Sequence, residues 1–509
     1  MSGEVRVFAQ YDGDFYESCD AVVVGSGPGG AVVAKEVASA GHDVVLIEEG
    51  PPFTPDDFVL DGAISMARTM REGGLRTTRG GFIMPTMQAI ALGGGSLVNS
   101  AICVRSPDFT LDSWCEEFGL GRTTRGDLDP HYEAVERFLG IAPTPDEVQG
   151  QRNLLFRDGC RALGWSSEPI ARNVVGCRGS GECFTGCRSR AKQSVDISYV
   201  PAAVRDGARV LTSARVERVL TWGRRRATGV EGRIVRPFTR EPTHRFRVDA
   251  KLVVLAAGCM ATPVLLQKSG DLANSSGAVG EFLQFHPGVA IMGVFPERTE
   301  PQFGATQGYQ SLEFLRRGFK LETLWAPPGV FAVRLPGFGF DLKANLARIP
   351  YAAIWDAIAS CNRSFGRVRA RRRGFDPSIQ WSLHPEDLKI LADAMWVLAQ
   401  VFFAAGVRSI LPGVHRLPDE LSSLAEAEVL RRHDYRTTDL TCGGNHVFST
   451  TRMHGDPKRG VVDEDGRCHD LDNLYIADTG ILPRSPSVNP MHTLMAIAHR
   501  IGLGIAARL

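Results

Sequence analysis

The stretch DAVVVGSGPGGAVVAKEVASAGHDVVLIEE, residues 20–49, decides the fold. It reads as an apolar strand, a glycine turn, an apolar helix and a second short apolar strand. Gly25, Gly27 and Gly30 have the G-x-G-x-x-G spacing, in which the first glycine permits the tight turn. The second lets a pyrophosphate approach the backbone, and the third lets the helix pack closely on the strand. The segment therefore predicts a βαβ unit that binds a dinucleotide.

An acidic residue at the end of the second strand completes this pattern. Glu48 is in the position to accept hydrogen bonds from an adenosine ribose, and Glu49 takes that role if the strand register lies one residue later. The βαβ unit alone does not distinguish FAD from NAD.

Composition and length limit the kinds of protein that this chain can be. The chain has 509 residues, enough for several folding units, and is 43% hydrophobic and 23% charged with a net charge of +1. Because there is no concentrated excess of lysine and arginine, nucleic-acid binding is excluded as a function. The N-terminus has no basic and apolar leader, and the apolar stretch 388–406 is interrupted by Lys389, Asp393 and Gln400, which predicts no transmembrane segment. We expect a cytoplasmic protein, in solution or peripheral to the membrane.

Three further segments carry a family resemblance. They are ALGGGSLVNSAICVR (91–105), VVLAAGCMATPVLLQKSG (253–270) and NLYIADTGILPRSPSVNPMHTLMAIAHRIG (473–502). In this order they resemble the flavin-contacting segments of the glucose–methanol–choline oxidoreductases, FAD-dependent enzymes that oxidise alcohols. The resemblance implies FAD as the cofactor. Beside the glycine turn and Glu48, it places these residues at FAD: Gly94, Ser96, Asn99, Val216, Asp478, Pro490, Met491 and Thr493.

The same resemblance implies an α/β fold. A Rossmann-like FAD-binding domain would be interleaved with an α+β substrate domain that carries an antiparallel sheet. We expect FAD-binding parts at 1–110, 191–290 and 446–509, the last with the catalytic residues. A lid and cysteine-loop insertion would occupy 111–190, and the substrate domain 291–445.

His446 is the predicted proton acceptor. Alcohol oxidation requires a group that takes the hydroxyl proton while the carbon-bound hydrogen leaves as hydride to flavin N5, and neutral imidazole suits this role. His446 heads HVFSTTRMHG (446–455), which is similar to the family's active-site stretch H-x-x-G-T-x-R-M-G. This chain departs from that pattern in two places, because Ser449 replaces the usual glycine and His454 is inserted after Met453. His454 therefore stays a weaker alternative base.

Asn489, in VNPMHT (488–493), corresponds to the family's second catalytic position, which is His or Asn. An amide can hold the alcohol in position without titrating, and Asn489 can also cap the last helix. His492 receives no proton-transfer role.

Three cysteines lie close together in GCRGSGECFTGCRSRAKQS (176–194), within a chain that has eleven. The loop resembles that of relatives of long-chain fatty alcohol oxidases, and its C-x5-C-x3-C spacing resembles bacterial FAD-dependent glucose dehydrogenases, whose catalytic subunit holds a [3Fe–4S] cluster. The resemblance implies Cys177, Cys183 and Cys187 as ligands of such a cluster. A thiol-rich remnant, a zinc site and a disulfide remain as alternatives. A cluster would favour a dehydrogenase over an oxidase.

The substrate prediction rests on the apolar stretches LETLWAPPGVFAVRLPGFGF (321–340) and MWVLAQVFFAAG (395–406). If they line the pocket, a hydrophobic primary or secondary alcohol fits better than a sugar, although the same residues can simply form core. The electron acceptor would be a quinone, a cytochrome or dioxygen. Rival functions are a sugar dehydrogenase, a same-fold enzyme such as a fatty acid photodecarboxylase, and a non-catalytic electron-transfer subunit.

Overall fold

The computed structural model describes residues 3–223, 225–332 and 335–509. Its helices are α1 (Pro28–Ser39), α2 (Gly62–Thr69), α3 (Asp108–Phe118), α4 (Arg125–Leu139), α5 (Gln151–Ala162), α6 (Tyr199–Arg205), α7 (Ala261–Lys268), α8 (Pro328–Ala332), α9 (Phe340–Ala347), α10 (Pro385–Ala404), α11 (Leu424–Arg432) and α12 (Met491–Ala506). The strands are β1 (Glu4–Arg6), β2 (Phe15–Val24), β3 (Val44–Ile47), β4 (Ala142–Pro143), β5 (Glu168–Pro169), β6 (Ala171–Arg172), β7 (Arg209–Leu211), β8 (Ala214–Trp222), β9 (Arg226–Val235), β10 (Pro242–Leu255), β11 (Gln284–Phe285), β12 (Gly288–Val294), β13 (Tyr309–Ser311), β14 (Phe319–Leu324), β15 (Ala352–Ala359), β16 (Gly366–Ala370), β17 (Pro377–Trp381), β18 (Ser409–Leu411), β19 (Val447–Phe448) and β20 (Leu474–Ile476).

One sheet gathers strands from widely separated parts of the chain. Its order is β1-β7-β3-β2-β10-β9-β8, and β20 pairs with β10. The strands β1, β7, β3, β2, β10 and β20 are parallel neighbours, whereas β10, β9 and β8 form an antiparallel meander. The apolar runs at 21–24 and 44–47 are fully or almost fully buried, as is typical of strands in a parallel sheet whose two faces are both covered. The predicted βαβ unit, β2-α1-β3, is confirmed.

A second sheet is wholly antiparallel, in the order β18-β12-β15-β14-β13-β5. Most of the apolar stretch 388–406 lies in α10, which packs on one face of this sheet, where Phe402 stacks on Trp355 with ring centroids 3.8 Å apart. Side chains alternate between the two faces of a strand. Lys320, Glu322 and Asp356 therefore point away from α10.

The interleaved α/β architecture predicted from the sequence is confirmed, with the strands of the first sheet drawn from the start, middle and end of the chain. The assignment of residue ranges to five domain segments stays a prediction. Within the described ranges, every helix is too short or too polar to cross a membrane. Val333 and Arg334 of the predicted pocket stretch lie outside the described residues.

Candidate active site

The glycine turn leaves open space at the start of α1. Gly25 has φ +103°, and a Cβ there would lie 2.2 Å from the Ala256 carbonyl oxygen. A Cβ on Gly30 would lie 1.9 Å from the carbonyl oxygen of Gly25. A Cβ on Gly27, in contrast, would meet no protein atom within 4 Å. Two glycines are thus required for packing, while Gly27 borders the space in which backbone N–H groups at a helix N-terminus can hold a phosphate.

Glu48 lies directly beside this turn. Its Oε2 accepts hydrogen bonds from the Ser26 backbone N–H at 3.0 Å and from the Ser26 hydroxyl at 2.6 Å, and Oε1 accepts from the Gly50 N–H at 2.8 Å. Burial raises the pKa of Glu48, although these hydrogen bonds oppose the shift. Glu49 instead pairs with Arg71 at 2.6 Å. The contacts therefore favour Glu48 over Glu49 as the ribose acceptor.

The glycine-rich segment near residue 95 packs on the turn. Gly94 has φ +52°, and a Cβ there would lie 2.8 Å from the Cα of Gly27. Ser96 Oγ donates to the Gly93 carbonyl at 2.7 Å and accepts from the Val195 N–H at 3.1 Å, so its hydroxyl holds the segment together. Asn99 Nδ2 contacts Met491 Sδ at 3.0 Å, which joins this segment to the start of α12.

The other residues predicted at FAD lie in separate parts of the fold. The carboxylate of Asp478 accepts hydrogen bonds from the Gly258 N–H at 3.0 Å and the Gly480 N–H at 2.8 Å, and Pro490 lies at the start of α12. Thr493 Oγ1 is 2.8 Å from the hydroxyls of both Ser106 and Tyr132, so its polar contacts are internal. Val216 lies in β8, paired with Gly232. A contact of these side chains with FAD remains a prediction.

His446 directly precedes β19, and His286 directly follows β11. Because these two strands pair antiparallel, the two histidines lie opposite each other. The Nδ1 atoms of the two rings are 3.3 Å apart. His286 Nε2 is 2.5 Å from Ser485 Oγ, and the Ser485 hydroxyl donates to Ser360 Oγ at 3.0 Å. His446 is surrounded by protein, but part of its ring remains accessible.

One tautomer of His446 satisfies all of these contacts together. If the Ser485 hydroxyl donates to Ser360, Ser485 Oγ accepts the N–H of His286 Nε2. Burial keeps the pKa of His286 well below its usual value, so the ring is neutral and its Nδ1 can only accept. In that arrangement His446 donates from Nδ1, which leaves its Nε2 as an acceptor. That nitrogen has no hydrogen-bond partner among the described residues.

Asn489 is held by a buried ion pair that the sequence analysis missed. Lys320 Nζ is 2.6 Å from Asn489 Oδ1 and 2.8 Å from Glu322 Oε2. Burial lowers the pKa of His446 to about 4, while Glu322 acts to raise it and Lys320 to lower it, which places all three side chains in one electrostatic cluster. The signal in the sequence was FKLETL (319–324), a strand of this apolar sheet that carries two charges on the same face.

The two other histidines of these motifs lie elsewhere. His454 Nδ1 accepts the Asp456 N–H at 2.9 Å, and its ring packs against Phe118 at 5.7 Å between centroids. His492 is buried beside Tyr132, with Nε2 3.5 Å from a Glu136 oxygen. Within the described ranges, neither ring makes a hydrogen bond or a ring contact with His446 or Asn489.

The three cysteines of the predicted cluster line one narrow cavity with Arg172 and Lys192, and none is in a disulfide. Each sulfur has its own local partner. Cys183 Sγ accepts from Arg172 at 3.0 Å, Cys177 Sγ from the Gly179 N–H at 3.5 Å, and Cys187 Sγ lies 3.3 Å from Ser189 Oγ.

This cavity favours a thiolate at Cys183, and no arrangement of metal ligands is found in it among the described residues. Burial raises the pKa of the Cys183 thiol, yet the charges of Arg172 and Lys192 outweigh it, so the net shift is downward. No three Cys, His, Asp or Glu side chains in the described ranges are arranged to hold a metal ion. The predicted [3Fe–4S] cluster on Cys177, Cys183 and Cys187 is therefore not supported, and we derive no electron-transfer step through this loop.

Comparison with known families identifies the architecture. Residues 66–288 match the N-terminal and residues 362–498 the C-terminal GMC oxidoreductase profile, and residues 20–79 match an FAD binding domain. An uncharacterized GMC-type oxidoreductase of Mycobacterium tuberculosis is 34% identical over 97% of this chain and 77% of its own length. Long-chain-alcohol oxidase FAO3 of Arabidopsis thaliana is 26% identical over 96% of this chain and 68% of its own.

Among solved structures, pyridoxine 4-oxidase from Mesorbium loti aligns with a TM-score of 0.73 at 19% identity. The alignment covers 96% of this chain and 99% of that one. At this identity the likeness shows the fold alone.

Proposed function

Because the chain belongs to the GMC oxidoreductase family, whose members use FAD, we propose that it oxidises a hydrophobic primary or secondary alcohol to the aldehyde or ketone. When bound, FAD supplies the acceptor for the carbon-bound hydrogen. The glycine turn, Glu48 and the segment around Gly94 would hold it, since the open space at Gly27 and the buried acceptor Glu48 fit a dinucleotide. The observation that carries the proposal is the contact of His446 Nδ1 with His286 Nδ1, which leaves His446 Nε2 without a protein partner among the described residues.

His446 is the proton acceptor in this proposal. The Nε2 atom of His446 takes the hydroxyl proton, while its Nδ1–H keeps donating to His286 Nδ1. The low pKa keeps the ring neutral and ready to accept near pH 7. Once the proton has arrived, the nearby Glu322 carboxylate stabilises the imidazolium. Asn489 holds the alcohol oxygen in place beside this acceptor.

The sheet face beside Asn489 supports a hydrophobic substrate. Cross-strand register places Lys320, Glu322 and Asp356 at its polar end. Farther along β14 and its partners the same face becomes apolar with Leu324, Ile354 and Met292, which pack near Trp325. A hydroxyl at the polar end and a hydrocarbon part at the apolar end match this gradient. The long-chain-alcohol oxidases among the relatives point in the same direction.

For the electron acceptor we propose dioxygen. The sequence-based preference for a dehydrogenase depended on the iron–sulfur cluster, which has no support. Some relatives of this chain are oxidases, including the long-chain-alcohol oxidases and 6'''-hydroxyparomomycin C oxidase of Streptomyces lividus. The acceptor would be distinguished by peroxide release in air compared with reduction of an artificial dye without oxygen.

The test is product formation from a panel of alcohols by the FAD-loaded protein. The panel spans primary alcohols of rising chain length, secondary and terpenoid alcohols, and sugars. We expect activity with hydrophobic alcohols, loss of that activity in His446→Ala, and retention in the matched control His454→Ala. Activity confined to sugars would contradict the substrate, and equal activity of wild type and His446→Ala would contradict the proton acceptor.

A further inference from the structure

Lys320 has the least expected environment of the charged side chains in this sheet. It lies in β14 with 0% of its side chain exposed. Removing an ammonium from water is costly unless its N–H groups are paired. Two partners lie beside it: Asn489 Oδ1 accepts a hydrogen bond at 2.6 Å, and Glu322 Oε2 makes an ion-pair contact at 2.8 Å. The contact with Asn489 joins the substrate-side sheet to the turn before α12.

This contact determines which way the Asn489 amide faces. The oxygen and nitrogen of an amide are hard to tell apart by shape, so their orientation must follow from the hydrogen bonds they make. An ammonium has only donors, so the Asn489 atom 2.6 Å from Lys320 must be the oxygen. The opposite orientation would set an NH₂ group against an NH₃⁺ group. The Nδ2 atom has no hydrogen-bond partner within the described ranges, so both its N–H bonds are available.

We propose that Lys320 is a positioning residue, which orients Asn489 so that the amide Nδ2–H donates to the oxygen of the bound alcohol. The inference rests on the proposed function and extends it. The alcohol oxygen then gives its proton to His446 Nε2 and accepts from Asn489 Nδ2, so the two residues do not compete for one role.

The orientation also has an electrostatic consequence. Negative charge develops on the alcohol oxygen as its proton leaves, and a preorganised donor stabilises that charge. Lys320 polarises the Asn489 amide through its carbonyl oxygen, which strengthens the N–H donor at the other end. The Glu322 carboxylate lies beside the ammonium and opposes its charge.

Two double variants separate the hydrogen bond from the charge. Lys320→Met/Glu322→Gln removes both charges and the donor. Lys320→Gln/Glu322→Gln removes both charges but keeps an N–H donor within reach of Asn489. Because the two proteins lose the same ion pair, any difference between them reports the donor. FAD occupancy and thermal unfolding serve as controls for folding.

The readout is the rate constant of flavin reduction at saturating alcohol without oxygen, with the half-saturating alcohol concentration measured in parallel. We expect a rate about ten- to hundredfold below wild type for the Met/Gln variant, the value of one hydrogen bond to a charged oxygen. The Gln/Gln variant should recover most of the lost rate. The half-saturating alcohol concentration should change little in either variant. Equal rates for the two variants would overturn the inference while leaving the proposed function intact. If no alcohol reduces the wild-type flavin, the proposed function fails and the inference with it.

A crystal structure of the FAD-bound wild type with an unreactive tertiary alcohol tests the same point without substitution. We expect the ligand oxygen within hydrogen-bond distance of Asn489 Nδ2 while Lys320 stays on Oδ1. A ligand oxygen on the Oδ1 side, or a Lys320 that has left Asn489, would overturn the inference.

Discussion

Gly27→Ala should separate cofactor binding from folding. Gly27 has φ −63° and ψ 179°, which alanine adopts without strain, and its Cβ would meet no protein atom within 4 Å. We therefore expect the free energy of unfolding of the FAD-free protein to change by less than about 1 kcal/mol. If the pyrophosphate approaches here, the new methyl group displaces it from N–H donors at the start of α1. Each lost charge-assisted hydrogen bond is worth roughly 1.5–3 kcal/mol, about ten- to hundredfold in the Kd for FAD.

The assay is titration of FAD-free protein with FAD, followed by flavin fluorescence, together with thermal unfolding of both forms. Gly121→Ala is the matched control, because Gly121 is exposed and a Cβ there also meets no protein atom within 4 Å. The control should bind FAD like wild type. Wild-type affinity in Gly27→Ala would refute the placement of the phosphate. A large loss of stability in its FAD-free form would refute the claim that the space beside Gly27 is open.

Three other predictions concern His446 and its surroundings. His286→Leu removes the acceptor of the His446 Nδ1–H and should slow flavin reduction about ten- to hundredfold. His286→Asn should slow it less, because the asparagine Oδ1 can accept, and similar losses of rate in both variants would contradict the tautomer assignment. His446 must be neutral to act as the base, and burial lowers its pKa to about 4. The value of kcat/KM should therefore stay level from pH 8 to about 5.5 and fall only at lower pH, whereas a fall centred near pH 6.5 would contradict this prediction. Ser449 has φ +78° and a buried hydroxyl without a partner, so Ser449→Gly should raise the free energy of unfolding by about 1 kcal/mol in urea titration, and a decrease would show that the serine is not strained.

The β2-α1-β3 unit could be predicted from local sequence because its determinants are local. The glycine spacing and the apolar strand before it specify this unit, whereas the interleaving of distant segments in one sheet was implied only by the family resemblance. The substitution of Ser449 for glycine was also visible in the sequence. Only the structure shows that its backbone keeps the left-handed conformation that favours glycine.

The supporting residues of the site could not be predicted in the same way. His286, Ser485 and Lys320 act through contacts between segments 160 or more residues apart, and no local pattern specifies such contacts. The cluster predicted at the cysteine loop has no support in the structure. Three cysteines close in sequence suggested a cluster, but each sulfur has a separate partner, and spacing does not specify side-chain direction.

The most direct test of the central claim is stopped-flow reduction of the FAD-loaded protein by a long-chain primary alcohol without oxygen. The same alcohol with deuterium on the carbinol carbon serves as the comparison. Hydride transfer from that carbon predicts bleaching of the oxidised flavin spectrum, slower for the deuterated alcohol, and a much lower rate in His446→Ala. A flavin that stays oxidised with every hydrophobic alcohol, or bleaching at the same rate in His446→Ala, would contradict the account.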